Sequence, residues 1–490
     1  MATNSFNLVD EKWITTVDRG LVSLREIFSD TGIKQLGGSV IEKLSIFKLL
    51  LSIAQAAYTP DNDLEWNSYT SEKMVIRICS YLEEFKSKFF LYSDDCPFLQ
   101  FPILASKTKL KPFSTVQPHV ASGNTTVRTQ TEIAFEVDEK EAARILISLM
   151  NFSFGGKQVD NSFSLTEGYS KGKSGKVGSG LSYLGYIHSY FLGNNLIETI
   201  RLNLLTAEDI ESINMFPSGI GIPLWEKMPE GENDSIAISY KQSLLGRLVG
   251  LGRFCLLEKN GLYLSEGLNY LDHQDGVCDP AVTIDKSKSK IKAIWTNPEK
   301  APWRSLPAIL SFISVAQPSI VCQQLQLCRK RVFHYPNPIA IWSLGQKVSS
   351  NSGEFKVSGR DDSVDSVIWL DKGDILSDAW YEVYAMEIDS LEHLSKILYG
   401  AITGYLDDLK RPKDEALKYI HMFWENIEPF AQDISDNCTS SEDRNKYRHK
   451  FAQIAKKVYD EACPCNTVKE LKAWSEHKLN TYKYEQIGDN

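Results

Sequence analysis

Residues 151–180 read NFSFGGKQVDNSFSLTEGYSKGKSGKVGSG, and the Gly172-Lys173-Ser174 step inside them has the ending of a phosphate-binding loop. A nucleotide-hydrolysing loop needs G-x-x-x-x-G-K-[ST] between a strand and a helix, so that backbone N–H groups wrap the phosphates. Here the nearest upstream glycine is Gly168, which leaves three intervening residues instead of four. The stretch from Gly175 to Gly180 is too rich in glycine to open a firm helix. The segment therefore reads as a solvated surface loop, or as a glycine turn that brings bare backbone against a nucleic acid.

A catalytic constellation is harder to find. The eight histidines (His119, His188, His273, His334, His393, His421, His449 and His477) include no H-x-x-x-H pair, and there is no G-x-S-x-G elbow. Asp361-Asp362 and Asp407-Asp408 are adjacent acids, not metal-spaced ligands. A metal site would need distant segments to converge, with Asp361, Asp362 and His334 as candidates. Nine cysteines are scattered without a C-x-x-C pair, and Cys463-Pro464-Cys465 is too tight for a zinc knuckle. LVGLGRF (Leu248–Phe254) carries only a fragment of a dinucleotide fingerprint. No active site, cofactor or metal is expected.

Two features suit a duplex better. In TIDKSKSKIKAIW, Lys286, Lys288 and Lys290 alternate with Ser287 and Ser289. On an extended hairpin, lysines of one parity share a face and reach phosphates, although lysines also protect an edge strand from aggregation. In VSSNSGEFKV, two β-like arms flank Ser350-Asn351-Ser352-Gly353, small turn formers at a hairpin tip. Such a hairpin is either a polar-tipped wedge between strands or simply structural.

The elements that position these segments belong to a chain of 490 residues, enough for two or three domains. Hydrophobic content of 42% and charged content of 24% describe a soluble globular protein. With no signal-peptide pattern, a cytoplasmic protein with reduced thiols and no membrane association is expected. Its most apolar run, from Leu44, is too short to span a bilayer and carries Lys48. The net charge of −9 is unevenly spread. Residues 281–350 hold ten Lys and Arg against two acids, whereas 371–490 hold 16 bases against 23 acids. A chain of this kind touches nucleic acid at a few points without coating it.

WITTV and GLVSL flank an Asp18-Arg19-Gly20 turn and predict a hairpin. Ser39 and Glu42 form a capping box ahead of a buried helix, a second helix covers roughly 71–88, and DEKEAARILISLMNF is helical. Four amphipathic helices follow at about 389–409, 413–434, 441–462 and 467–486, with Trp424, Phe430, Phe451 and Trp474 as core. Their short connections imply antiparallel neighbours. The fold class is α+β: a large mixed domain of short sheets and helices over 1–375, then an antiparallel four-helix bundle over 376–490.

Taken in order, FNLVDEKWITTV, CPFLQ (Cys96–Gln100), IAFEV (Ile133–Val137), NFSFGGK, IETIRLNLLT (Ile197–Thr206) and HMFWENIEPFAQDI resemble the large subunit of the type I-E CRISPR Cascade complex, the CasA family. The resemblance covers most of the chain and rests on the ordered set. It implies a non-catalytic subunit that approaches the protospacer-adjacent motif from the minor groove with a glycine loop, a lysine and a hairpin wedge. The glycine loop falls at Gly155-Gly156 with Lys157 beside it, and the lysine at Lys286 or Lys288. The wedge falls in GQKVSSNSGEF, where the family's glutamine is replaced at the tip by Ser350-Asn351-Ser352, with Gln346 lower on the arm. The loop with Phe135 looks like the segment that contacts the crRNA 5′ end and the DNA. Some relatives carry a cysteine cluster that this chain lacks, so no zinc is expected. The implied partners are target double-stranded DNA, crRNA, the other Cascade subunits and a recruited helicase-nuclease. The competing readings are a metal-dependent nuclease built from scattered residues and a pure assembly scaffold.

Overall fold

The Glu42 N–H donates to Ser39 Oγ (3.3 Å), and the Ser39 N–H donates to the Glu42 carboxylate (2.7 Å). This reciprocal cap starts the helix Val40–Ala57, as its sequence predicts. Fourteen of its 18 residues are buried, so it is surrounded by protein instead of lying on a surface. It packs against the helices Glu139–Asn151 and Ser71–Glu84 and the strand Ile339–Gln346. The computed structural model describes residues 4–117, 136–153, 185–287, 289–314, 319–351, 354–356, 362–375 and 377–486. Among the described residues, no helix is long and apolar enough to cross a membrane.

The architecture is α+β, with many helices and several small sheets. Two compact units form: Met1–Pro298 with Ser319–Val367, and Glu299–Pro318 with Ile368–Asn490. The sequence reading placed a single break between 375 and 376 and did not anticipate the inserted segment. That segment is held by the long helix Asp378–Asp408, whose Tyr384 and Tyr381 hydroxyls donate to the carbonyls of Trp303 (3.1 Å) and Pro307 (2.7 Å).

In the first unit, the strand Ile187–Leu192 is buried at all six positions. It pairs antiparallel with Ile339–Gln346, in a register running from Leu192↔Ala340 to Ile187↔Gly345. The strand Ser363–Leu370 lies on the far side of Ile339–Gln346. Bridges His188↔Val282 and Tyr186↔Trp295 tie a further segment to the Ile187–Leu192 side. The expected N-terminal hairpin forms between Ile14–Thr16 and Gly20–Val22, with Gly20 at φ +73° in the turn. Leu91 and Leu257, far apart in sequence, are joined by Gln100. Its amide donates to the Leu91 carbonyl and its carbonyl accepts from the Leu257 N–H, both at 2.7 Å.

Lys48, the one cation inside the apolar run, is fully buried, and its Nζ lies 2.7 Å from Asp279 Oδ2. Burial works to raise the pKa of Asp279, but Lys48 and His188 beside it outweigh that and hold it below its ordinary value. His188 Nε2 is 3.8 Å from the same oxygen. Burial drives the His188 pKa down to about 4, against the pull of Asp279.

The second unit is helical in its C-terminal part. The helix Asp378–Asp408 starts earlier than the expected 389, because Ser377 caps it through the Trp380 N–H (3.2 Å). The helix expected over 413–434 is broken. Glu415–Ile427 passes into a 3₁₀ turn, Glu428–Phe430, and then into Ala431–Asn437. Pro429 sits in the turn and lacks the N–H that a continuous helix would need. Ser441–Ala462 matches its predicted span, whereas 467–486 divides into Val468–Glu476 and Tyr482–Gln486. Of the four predicted core aromatics, Trp424 and Phe451 are buried. Phe430 and Trp474 are half-buried, and Lys450 Nζ stands 3.8 Å from the Phe430 ring centre. The helices Asp378–Asp408 and Ser441–Ala462 are joined by Glu387, which pairs with the buried Arg448 (Nε, 3.0 Å) and lies 3.7 Å from Arg444 Nε.

Two predictions come from these buried charges. Glu387→Gln is expected to destabilise the second unit by about 3 kcal/mol, because Arg448 then stays buried without its counter-charge. A urea midpoint followed on that unit measures it, and the Glu387→Leu, Arg448→Met pair is expected to lose less than Glu387→Gln alone. The second concerns pH. The His188 pKa is about 4 when folded, against an ordinary value of 6.5, so between these values the unfolded chain binds more protons. Stability of the first unit is expected to fall as pH drops from 6.5 towards 4, by roughly 3 kcal/mol at the lower end. The Asp279 contribution persists above 3.8 and is lost only below it. Urea titrations from pH 7 to 4 are expected to show this slope, and His188→Leu to flatten it.

Candidate nucleic-acid interface

Of the residues singled out in the sequence, Phe135, Gly155, Gly156, Lys157, Lys288 and Ser352 lie outside the described residues, as does Asp361. The flanks of the glycine-rich segment are described. On its N-terminal side, Ser153 Oγ donates to the Gly252 carbonyl (2.9 Å) and Asn151 Oδ1 accepts from the Gly250 N–H (3.3 Å). On its C-terminal side, Gly185 has φ +86°, and a Cβ there would fall on the Gln346 carbonyl. Only glycine fits that approach.

Lys286 is exposed and follows the short strand Ile284–Asp285, which pairs with Lys292–Ala293 as Ile284↔Ala293 and Asp285↔Lys292. Its N–H donates to the Ser319 carbonyl (2.8 Å). The alternation of lysines along an extended arm is not what forms. Lys286, Ser287, Ser289 and Lys290 lie in the connection between the strands, and Asp285 Oδ1 turns the chain by accepting from the Ser287 N–H (2.8 Å). Lys290 and Lys292 are exposed on the same hairpin. Its foot is set by Asp279, whose Oδ1 accepts from the Ala281 N–H (2.9 Å) while Oδ2 faces Lys48. Nothing in the sequence singled out Asp279 or His188. The one available signal was a lysine in an apolar helix, and its partner lies far along the chain.

The second hairpin forms as two three-residue arms, Ser349–Asn351 and Glu354–Lys356, paired Ser349↔Lys356, Ser350↔Phe355 and Asn351↔Glu354. Ser350 and Asn351 thus lie in an arm and not in its turn. Gln346 is only 7% exposed. Its Nε2 donates to the carbonyls of Asp362 (3.0 Å) and Lys347 (3.4 Å), and the Lys347 N–H also donates to the Asp362 carbonyl (2.7 Å). Gln346 is committed inside the protein, closing the base of the hairpin segment.

These features share one strand. Ile187–Leu192 carries the hairpin base on one edge, through Ile187↔Gly345, and the return of the lysine hairpin on the other, through Tyr186↔Trp295. Tyr186 and Trp295 stack with ring centres 5.1 Å apart. The metal-site alternative gains no geometry. Among the described residues, the three-member group of possible ligands is Asp408, Glu476 and His477, on the second unit, and it includes neither Asp362 nor His334. His334 is exposed beyond the helix Gln323–Val332, and the Asp362 carbonyl serves the hairpin base.

Residues 7–464 match the family profile of CRISPR-associated protein Cse1. The chain is 26% identical over 336 residues to CRISPR-associated protein CasA/Cse1 of Thermus thermophilus. That match covers 62% of this chain and spans 60% of the length of the relative. The fold is similar to the crystal structure of Thermobifida fusca Cse1, with a TM-score of 0.81, 18% identity, and coverage of 99% of this chain and 98% of that one. It is also similar to a chain of a CRISPR RNA-guided surveillance complex, with a TM-score of 0.70, 14% identity, and coverage of 98% and 100%. With the profile matched from residue 7 to residue 464, the chain belongs to the CRISPR-associated protein Cse1 family.

Proposed function

We propose that this chain is the non-catalytic large subunit of a type I-E, RNA-guided antiviral surveillance complex in the cytoplasm. It recognises the protospacer-adjacent motif in duplex DNA, helps to open that duplex for R-loop formation, and recruits a helicase-nuclease. The observation that carries this reading is the Cse1 family match over residues 7–464. A surveillance complex among the proteins of similar fold supports it.

The DNA-facing set is Gly155, Gly156, Lys157, Lys286, Lys288, Ser350, Asn351 and Ser352, with Gln346 at the base of the wedge. Phe135 belongs to the segment that meets crRNA. Glycine lets backbone approach a groove floor, and the minor groove's degenerate code lets one site accept several motifs. Unstacking a step costs a few kcal/mol, which protein contacts offset. Exposed Lys286, Lys290 and Lys292 on one hairpin supply positive charge for phosphates. Residues 1–375 do the sensing. The acidic helices over 376–490 are unsuited to phosphate contact and act as a four-helix bundle that docks neighbouring subunits. The chain works without a cofactor or turnover.

The test is duplex binding by the reconstituted complex, with and without this chain, across a library of flanking motifs. Adding the chain is expected to create motif-dependent affinity. Gly156→Asp is expected to abolish it, and Lys286→Ala with Lys288→Ala to weaken binding and flatten its salt dependence by about one unit of log–log slope per lost phosphate contact. Equal affinity for every motif, or metal-dependent cleavage by the chain alone, would overturn the proposal.

A further inference from the structure

Two helices of the second unit come together at their C-terminal ends, and both end on acids. Asp407 and Asp408 close the 31-residue helix Asp378–Asp408, and Glu476 closes the helix Val468–Glu476. A helix C-terminus carries partial negative charge, so it favours a cation there and disfavours carboxylates. Neither helix has a basic residue in its last turn. Lys413 Nζ is 3.1 Å from Asp407, and Lys472 Nζ is 3.8 Å from Glu476. Arg411 is engaged by Glu415, and Lys478 by the Trp474 ring. Asp408 instead meets an imidazole, with His477 Nε2 3.0 Å from its Oδ2. That imidazole is firmly seated. The His477 N–H donates to the Ala473 carbonyl (3.0 Å), and its own carbonyl accepts from the Tyr459 hydroxyl (2.9 Å). The ring lies against Gly404, one turn before Asp408, where a Cβ would collide with Nδ1. Glycine weakens a helix interior relative to alanine, and here its missing side chain makes the room for the ring.

We propose that Asp408, Glu476 and His477 form a binding site for a divalent transition-metal ion of the zinc type. Their ligating atoms all lie within 4.8 Å of one another. Two ligands on one such ion, each about 2.0–2.1 Å from it, stand about 3.3 Å apart at a tetrahedral angle. The 3.0 Å between His477 and Asp408 is already close to that spacing. Glu476, whose side chain is half-exposed, closes the rest by rotation about its own bonds. One imidazole nitrogen with two carboxylate oxygens suits Zn²⁺, Co²⁺ or Mn²⁺, whereas Ca²⁺ and Mg²⁺ take oxygen ligands. The acids are exposed, so water completes the coordination. The ion supplies the positive charge that the two helix ends lack, and it ties the end of the long helix to the last part of the chain. It is a clamp without a substrate, so the inference goes beyond the function proposed above and does not depend on it. The rival arrangement is a plain ion pair between Asp408 and His477, which has no use for Glu476.

The experiment uses the full chain without an affinity tag. The two exposed cysteines, Cys96 and Cys465, are changed to serine so that thiols do not compete for the metal. Zn²⁺ is titrated by calorimetry and Co²⁺ by its visible absorption, and the unfolding midpoint is measured with and without Zn²⁺. One ion per chain is expected, with a midpoint that rises with Zn²⁺ concentration. Losing even an outer-shell partner costs a metal site about 10- to 100-fold in affinity, so His477→Gln and Glu476→Gln are each expected to cost about 100-fold or more. Both are expected to abolish the rise in midpoint. Gly404→Ala, which favours the helix but displaces the ring, is expected to weaken binding about tenfold while the metal-free chain stays folded. If His477→Gln unfolds the chain, Glu476→Gln, at an exposed position, carries the test. Binding by the parent chain that neither substitution weakens, or no saturable binding at all, would overturn the inference and leave Asp408 and His477 as an ion pair. No nucleic acid is present in the assay, so either result leaves the motif-binding test untouched.

Discussion

The first unit is organised around one ion pair kept out of water. Lys48 projects from the middle of the Val40–Ala57 helix and Asp279 from the chain leading into the lysine hairpin. Both are essentially unexposed. A buried pair is a poor source of net stability compared with well-packed apolar groups. Its effect here is positional. Any shift of the 279–282 segment would leave two charges without compensation in a medium that tolerates neither. His188, on the central strand, stands beside the pair in its neutral form, so helix, strand and hairpin foot are referenced to one point.

From that point the strand Ile187–Leu192 distributes the constraint outward. Six consecutive buried residues leave it no solvent face, and neighbours occupy both of its edges. The bases of two hairpins are thus anchored on a strand that cannot easily yield.

Features set by neighbours in sequence were legible. The Ser39–Glu42 cap, the turn at Gly20, the helix Ser441–Ala462 and the hairpin around residues 349–356 all depend on a few adjacent side chains. Features set by distant partners were not. The pairing of Lys48 with Asp279, the recruitment of 299–318 to the second unit and the burial of Gln346 each depend on chain hundreds or tens of residues away. The lysine run misled for a related reason. Alternation suggests a strand, but the Asp285 side chain ends the strand at the first lysine and makes the rest a connection. Pro429 was visible as a residue, yet amphipathic spacing on both sides concealed the break that it imposes. Of the candidate segments, the sequence shows the positions of the two hairpins but not the contacts that fix their bases on the strand Ile187–Leu192.

The first unit is discontinuous, and this has a consequence for synthesis. Leu192 finds its strand partner at Ala340, and the register is complete only when Gly345 is present. Ribosomes add about 5–20 residues per second, so the central strand waits roughly 8–30 s before its sheet can close. During that interval it is a largely apolar segment, interrupted by His188 and Ser189, with open edges, the kind prone to pairing with another chain. The glycine-, serine- and lysine-rich residues before it and the lysine hairpin after it in the chain then have a second value. They place charge and solubility on both sides of that strand along the nascent chain.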